Sequence, residues 1–116
     1  MTALLLALAL AASGYTPNVE RAREWARQHT SPHGFRCLHI LWERESRWSV
    51  HGRGPLTRWG RAYGIPQALP GRKMRSAGPD WRTNATTQVR WGLRYVRARY
   101  GTPCRARAYQ RARGWY

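Results

Sequence analysis

The chain has 116 residues, enough for one small domain and too few for a second core. Hydrophobic residues make up 42% of it, with seven Trp and six Tyr, which excludes a wholly disordered chain. Lys and Arg number 21 against five Asp and Glu, a net charge of +16 that favours polyanionic partners (nucleic acid, anionic membrane or bacterial wall polymers) without choosing among them.

In chain order, the first feature is an uncharged apolar run from Ala3 to Ala12. It is too short to span a bilayer as a helix and suits the apolar region of a secretory signal. The small residues Ala11, Ala12, Ser13 and Gly14 follow it, so residues 1–13 read as a signal-peptide-like segment and the protein as secreted. No Lys or Arg precedes the run, which is atypical of such signals; a buried N-terminal helix is the alternative.

Residues 14–32 read as an N-terminal helix and linker. Thr16 caps, Pro17 takes the first helical position, and the helix runs to about Gln28. The run Thr30-Ser31-Pro32-His33-Gly34 breaks it. A second helix is predicted from Phe35 to Arg47, with Leu38, Leu41 and Trp48 at helical spacing and Trp42 beside them. Residues 55–80 are rich in Pro and Gly, with four of each, so turns, a short helix and a short hairpin near 55–65 are expected.

Thr83-Asn84 reads as the cap of a further helix to about Tyr100, with Val89, Leu93 and Val96 on one side and Arg90, Arg94 and Arg97 on the next. Asn84-Ala85-Thr86 is also a glycosylation sequon by pattern, better read as capping. Gly92 beside the apolar stripe costs about 1 kcal/mol relative to Ala, which close packing against another element would explain. Gly101-Thr102-Pro103 stops this helix, and Cys104 to about Arg113 forms a last short one. The fold class is therefore mostly α in one domain, read as a monomer.

Two cysteines, Cys37 and Cys104, suit an exported protein with one disulfide. Two thiols, or a metal pair with histidine, are the alternatives. His29, His33, His39 and His51 show no zinc spacing with either Cys, so neither a metal nor a cofactor is expected.

Acidic residues are scarce enough for their placement to be readable: Glu20, Glu24, Glu43, Glu45 and Asp80. On the second helix, positions 38, 41, 45 and 48 share one face. Three of them are Leu38, Leu41 and Trp48; the fourth is Glu45. A carboxyl group on such a face is poorly solvated, so its pKa rises towards the range a general acid needs near neutral pH. A buried ion pair with an arginine is the competing explanation. Glu43 lies roughly 200° around the helix and faces solvent.

The segment Phe35-Arg36-Cys37-Leu38-His39-Ile40-Leu41-Trp42-Glu43-Arg44-Glu45-Ser46-Arg47-Trp48 resembles the catalytic-helix segment of actinobacterial lytic-transglycosylase-like proteins, members of the lysozyme-like superfamily. Its Glu-Ser-x-Trp element resembles their first motif. Tyr63-Gly64-Ile65-Pro66-Gln67 resembles the second, a Gly-x-x-Gln turn lining a sugar groove. Asn84-x-x-Thr87-Gln88-Val89-Arg90-Trp91-Gly92 resembles the third, and Cys104 through Tyr109 to Trp115-Tyr116 the C-terminal end.

The resemblance covers about residues 33–116. It implies a small lysozyme-like domain with a Pro/Gly-rich groove loop and a Cys37–Cys104 disulfide. It also implies a peptidoglycan lytic transglycosylase acting on the MurNAc–GlcNAc β-1,4 bond of glycan strands. Glu45 would be its single catalytic residue, with Tyr63, Gln67, Tyr109, Trp42 and Trp48 at the substrate. Core packing is the alternative for each aromatic.

Where relatives carry small and hydroxyl residues before the second motif, this chain has Thr57-Arg58-Trp59-Gly60-Arg61, and Arg47, Arg105 and Arg107 are further departures. Such arginines would add contacts to anionic wall polymers. Alternatively they would block the cleft and leave a degenerate cationic module that binds wall polyanions or nucleic acid. The arginines are spread along the chain and no nucleic-acid motif is present, so no specific nucleic acid is expected. Stable membrane insertion is not expected either.

Overall fold

Among the described residues, three of the four α-helices begin with a hydroxyl residue followed by proline. The computed structural model describes residues 16–116; the signal-like segment at 1–13 lies outside them. Helix α1 spans Pro17–Gln28, α2 Pro32–Ser46, α3 Ala85–Tyr100 and α4 Pro103–Arg113, with a 3-10 helix at Gly71–Ala77. Thr16, Ser31 and Thr102 cap α1, α2 and α4, each accepting a bond from the backbone N–H three residues on. The proline behind each supplies a preset φ where no helical N–H partner exists.

The same chemistry accounts for one difference from expectation. Ser31-Pro32 starts α2 rather than breaking the chain ahead of Phe35, because it repeats the Thr16-Pro17 signal. Asn84 caps α3 through both Thr86 and Thr87, while its amide donates to Asp80. The sequon asparagine is thus spent on capping.

The core is built on α2 and α3. Leu38, Leu41 and Trp42 meet Val89, Leu93 and Val96, and Val19, Ala22 and Ala26 of α1 join the same cluster. Ala106 adds α4 to it. The disulfide Cys37–Cys104, with Cα atoms 4.9 Å apart, ties α2 to α4 across 67 residues of chain. In the chain-entropy model a loop of that length contributes about 4 kcal/mol. Gly92 has the close neighbours that its cost implied: a Cβ there would stand 2.6 Å from Cζ2 of Trp42 and 2.9 Å from Cβ of Pro66.

The second helix ends earlier than expected. Arg47 and Trp48 both take left-handed backbone angles, φ 54° and 56°. Trp48 therefore leaves the helical face assigned to it, and the turn carries its indole back into the core. There its Nε1 donates to the carbonyl of His39, and its ring meets Trp42 edge-on and Arg23 face-on.

Between Ser49 and Asn84 the chain has little regular structure. Among the described residues no strand forms; three isolated antiparallel bridges, Arg53 with Tyr63, Thr57 with Gly60 and Tyr63 with Ala68, stand where the hairpin was expected. No helix among the described residues is long and apolar enough to cross a membrane.

A loop of this kind needs side chains to satisfy its buried peptide groups. Gln88, fully buried on α3, does this for three segments at once. Its amide nitrogen donates to the carbonyls of Val50 and Trp81, and its Oε1 accepts the N–H of Ile65, each at 2.9 Å. Gly64 leaves room for it: with φ at 76°, a Cβ there would lie 2.5 Å from Gln88 Oε1.

Replacing Gln88 with Leu keeps the volume and orphans three buried peptide groups. Urea unfolding should show a loss of about 3 kcal/mol or more, since each unsatisfied group costs roughly 1–3 kcal/mol. A loss below about 1 kcal/mol would mean that the loop is held by other contacts.

Candidate active site

Glu45 sits one residue before the end of α2. Leu41 and Trp42 one turn back are core residues, so the backbone of Glu45 is fixed against the packed interior. Ser46 adds a second anchor by donating to the carbonyl of Ile65 at 2.8 Å. The carboxyl group itself is half-buried.

Its partner comes from the far end of the chain. The amide nitrogen of Gln110 on α4 donates both to Glu45 Oε1 at 2.7 Å and to the carbonyl of Leu41 at 3.1 Å. Gln110 is in turn held by Arg107, which donates to its Oε1 at 3.2 Å. Burial raises the pKa of Glu45, and the Gln110 bond pulls part of the way back by favouring the ionised form. Among the described residues Glu45 forms no ion pair. Among the described residues such pairs occur on α1 alone, between Glu20 and Arg23 and between Glu24 and Arg27. The arginine pairing weighed for Glu45 is replaced by an amide.

Two depressions share Glu45, one lined towards α4 and the other towards the loop that follows α2. One, of about 440 Å³, is lined by Arg44, Arg107, Gln110, Arg111 and Gly114 besides Glu45. The other, of about 290 Å³, is lined by Arg44, Ser46, Arg47, Gly52, Arg53 and Gln67 besides Glu45. No second carboxylate lines either one. Asp80 is engaged elsewhere. It accepts from Thr87 and Asn84 at the start of α3, and those bonds hold its pKa below the ordinary range.

The residues singled out from sequence are distributed unevenly around this centre. Gln67 shares the second depression with Glu45. Its backbone is left-handed, φ 54°, and its amide nitrogen is spent on the carbonyls of Gly52 and Gly64. Its side-chain oxygen is thereby left to accept from a ligand.

Tyr63 lies in a neighbouring depression with Arg53, its hydroxyl donating to the carbonyl of Arg82 at 2.8 Å. Trp42 and Trp48 are core residues and support the site from behind. Tyr109 lines neither depression and joins an aromatic group with Tyr100 and Trp115. The last helix reaches Glu45 through the next residue, Gln110, which is a rotation of about 100° around α4. Of the arginines that depart from the resembled pattern, Arg47 and Arg107 border Glu45, whereas Arg105 lines neither depression.

Tyr116 was read only as part of the C-terminal match. It is partly buried against the core, its hydroxyl accepting from Trp42 Nε1 at 2.9 Å and donating to the carbonyl of Pro66 at 2.6 Å. Burial pushes its pKa well up. Gln110 carried a signal of its own: with Pro103 and Ala106 it completes the buried face of α4, as Glu45 does on α2.

His33 lies close to Cys37 and Cys104, but both sulfurs are committed to the disulfide, which leaves no thiolate pair for a metal. No protein-family model, curated protein or solved structure matches this chain.

The raised pKa of Glu45 has a definite sign in stability. A group favoured in its protonated form by folding contributes fully below its unfolded pKa, and the contribution is lost as pH rises through the folded value. Glu45→Gln keeps an acceptor for Gln110 and removes the ionisation. Its melting temperature relative to the parent should therefore climb from pH 4 to pH 7. A constant difference across that range would mean that Glu45 titrates normally.

Proposed function

We propose that the protein is a secreted peptidoglycan lytic transglycosylase that cleaves the MurNAc–GlcNAc β-1,4 bond with Glu45 as its single general acid and base. One observation carries this reading: Glu45 is the sole carboxylate bordering its two depressions, and burial keeps it protonated further up the pH scale. That is the state required to protonate a glycosidic oxygen. The usual pair of carboxylates is missing around it, so the scheme departs from ordinary glycosidases. The substrate's own acetamido group would stabilise the oxocarbenium-like state. Glu45, ionised after its proton transfer, would then take the proton of the C6 hydroxyl and release a 1,6-anhydro end. Attack by water instead would give hydrolysis.

The two depressions that share Glu45 suit a linear polymer bound past the carboxyl group. Gln67, with its oxygen unspent, supplies an acceptor for a sugar hydroxyl or acetamido N–H. Gln110 positions the carboxyl group and limits how far its pKa rises. Export to the wall is supported by the apolar N-terminal run and by the disulfide.

The arginines around Glu45, namely Arg44, Arg107 and Arg111, favour a second reading in which the protein binds wall polyanions without cleaving them. Muropeptide mass spectrometry of digested peptidoglycan separates the two. Anhydro-MurNAc ends should appear with the parent and fall at least about 100-fold with Glu45→Gln, the range general acid catalysis supplies. Reducing ends would mean a hydrolase. No soluble product from either protein would leave the binding module.

Gln110→Leu removes the bond that favours ionised Glu45, so its pKa should rise further. The alkaline limb of the pH–activity profile should then move upward. An unmoved limb would show that Gln110 does not tune the acid.

A further inference from the structure

The depression that holds Tyr63 is set apart by its charge. Four guanidinium groups, those of Arg53, Arg61, Arg72 and Arg82, line a space of about 300 Å³. No carboxylate lines it, and none of the four forms an ion pair among the described residues. All four are exposed, so a ligand can reach them. A second depression of about 540 Å³ adjoins it, sharing Gly60, Pro70 and Arg72 and adding Arg58 and Lys73. The first depression also meets the Glu45 site at Arg53. The result is a continuous groove with six cations and no counter-charge of its own. Like charges held together around a concavity repel one another, and an anion seated among them relieves that repulsion.

The residue type narrows the anion. Five of the six cations are Arg, whose planar fork matches the oxygens of a phosphate in a bidentate way. The aromatic side chains narrow it further. A groove for single-stranded nucleic acid offers free ring faces on which bases stack. Here guanidinium groups lie over the rings: Arg82 is 4.4 Å from the Trp81 ring, Arg58 4.1 Å from Trp59 and Arg53 5.9 Å from Tyr63. Trp81 is buried besides, and its ring meets that of Tyr63 edge-on. Trp59 is 60% exposed with Arg58 over its ring, so the groove presents far more charge than free ring face.

We infer that this groove is a binding site for a linear phosphodiester polymer without bases, a polyol-phosphate chain, seated on Arg53, Arg61, Arg72 and Arg82. The site adjoins the Glu45 depression at Arg53, and binding there does not require cleavage at Glu45. A chain bound there would hold the protein where glycan and polyol phosphate occur together.

The test compares two double variants of equal net charge, Arg61→Gln with Arg72→Gln in the groove and Arg21→Gln with Arg90→Gln outside it. All four positions are exposed, and circular dichroism establishes that each variant is folded. Fluorescence anisotropy reads binding to labelled poly(glycerol phosphate), to oligothymidylate of equal phosphate number and to polyglutamate, across a salt series. The groove variant should bind poly(glycerol phosphate) at least roughly tenfold more weakly, with its salt slope reduced by roughly two. The outer variant should bind within about twofold of the parent.

Equal weakening by both double variants, or no binding by the parent, would overturn the site. Equal or tighter binding of polyglutamate would overturn the preference for phosphate. Groove-dependent preference for oligothymidylate would overturn the polyol polymer in favour of single-stranded nucleic acid.

Discussion

Everything on the groove side of the molecule depends on the side chain of Gln88. The stretch from Ser49 to Asn84 has no strand and only a seven-residue 3-10 helix, and it pairs only part of its peptide groups with itself. One amide in the core of α3 bonds three separated points of that stretch, at Val50, Ile65 and Trp81. The loop is thus fastened to a helix as well as to itself. Gln67, Tyr63 and the arginines between them inherit their positions from this anchor.

Glu45 is positioned by a second, independent device. Helix α4 is locked to α2 at Cys37–Cys104 and again at Gln110, whose amide spans Leu41 and Glu45. The two ties lie about two helical turns apart along α2, which sets both the distance and the direction from which α4 approaches the carboxyl group. The consequence is chemical as well as mechanical. The same packing that desolvates Glu45 and raises its pKa brings up the amide that opposes the rise. An amide tunes the group without neutralising it, as a guanidinium partner would have done.

The charge distribution follows from a shortage of acids. The ion pairs among the described residues lie on α1, and Asp80 is occupied in capping α3. The arginines of the groove loop are left facing solvent or covering rings, where weak hydration of the guanidinium makes contact with an aromatic face favourable. Charge that has no internal partner is available to an external one.

Much of this was legible in the sequence, and for local reasons. Helix faces repeat every few residues, so the apolar stripe of α2, the placement of Glu45 on it and the stripe of α3 could be read from spacing. Caps act over three residues, so Thr16 and Asn84 were readable too, and Ser31 would have been had the Thr16-Pro17 signal been applied again. The close neighbours of Gly92 followed from the cost of a glycine in mid-helix.

What the tertiary structure alone decided is long-range or irregular. The contact of Gln110 with Glu45 spans 65 residues, and only packing chooses it over Tyr109, one position away on the same helix. Trp48 left its helical face because two residues in a row took left-handed angles, which no periodicity encodes. Gln88 looked like one polar residue in a motif; that it holds three loop segments depends on where those segments run. The convergence of Arg53, Arg61, Arg72 and Arg82 on one concavity is likewise a property of loop geometry. Spacing along the chain reports which side of a helix a residue occupies, whereas the partner it meets there is set by how the helices and loops pack.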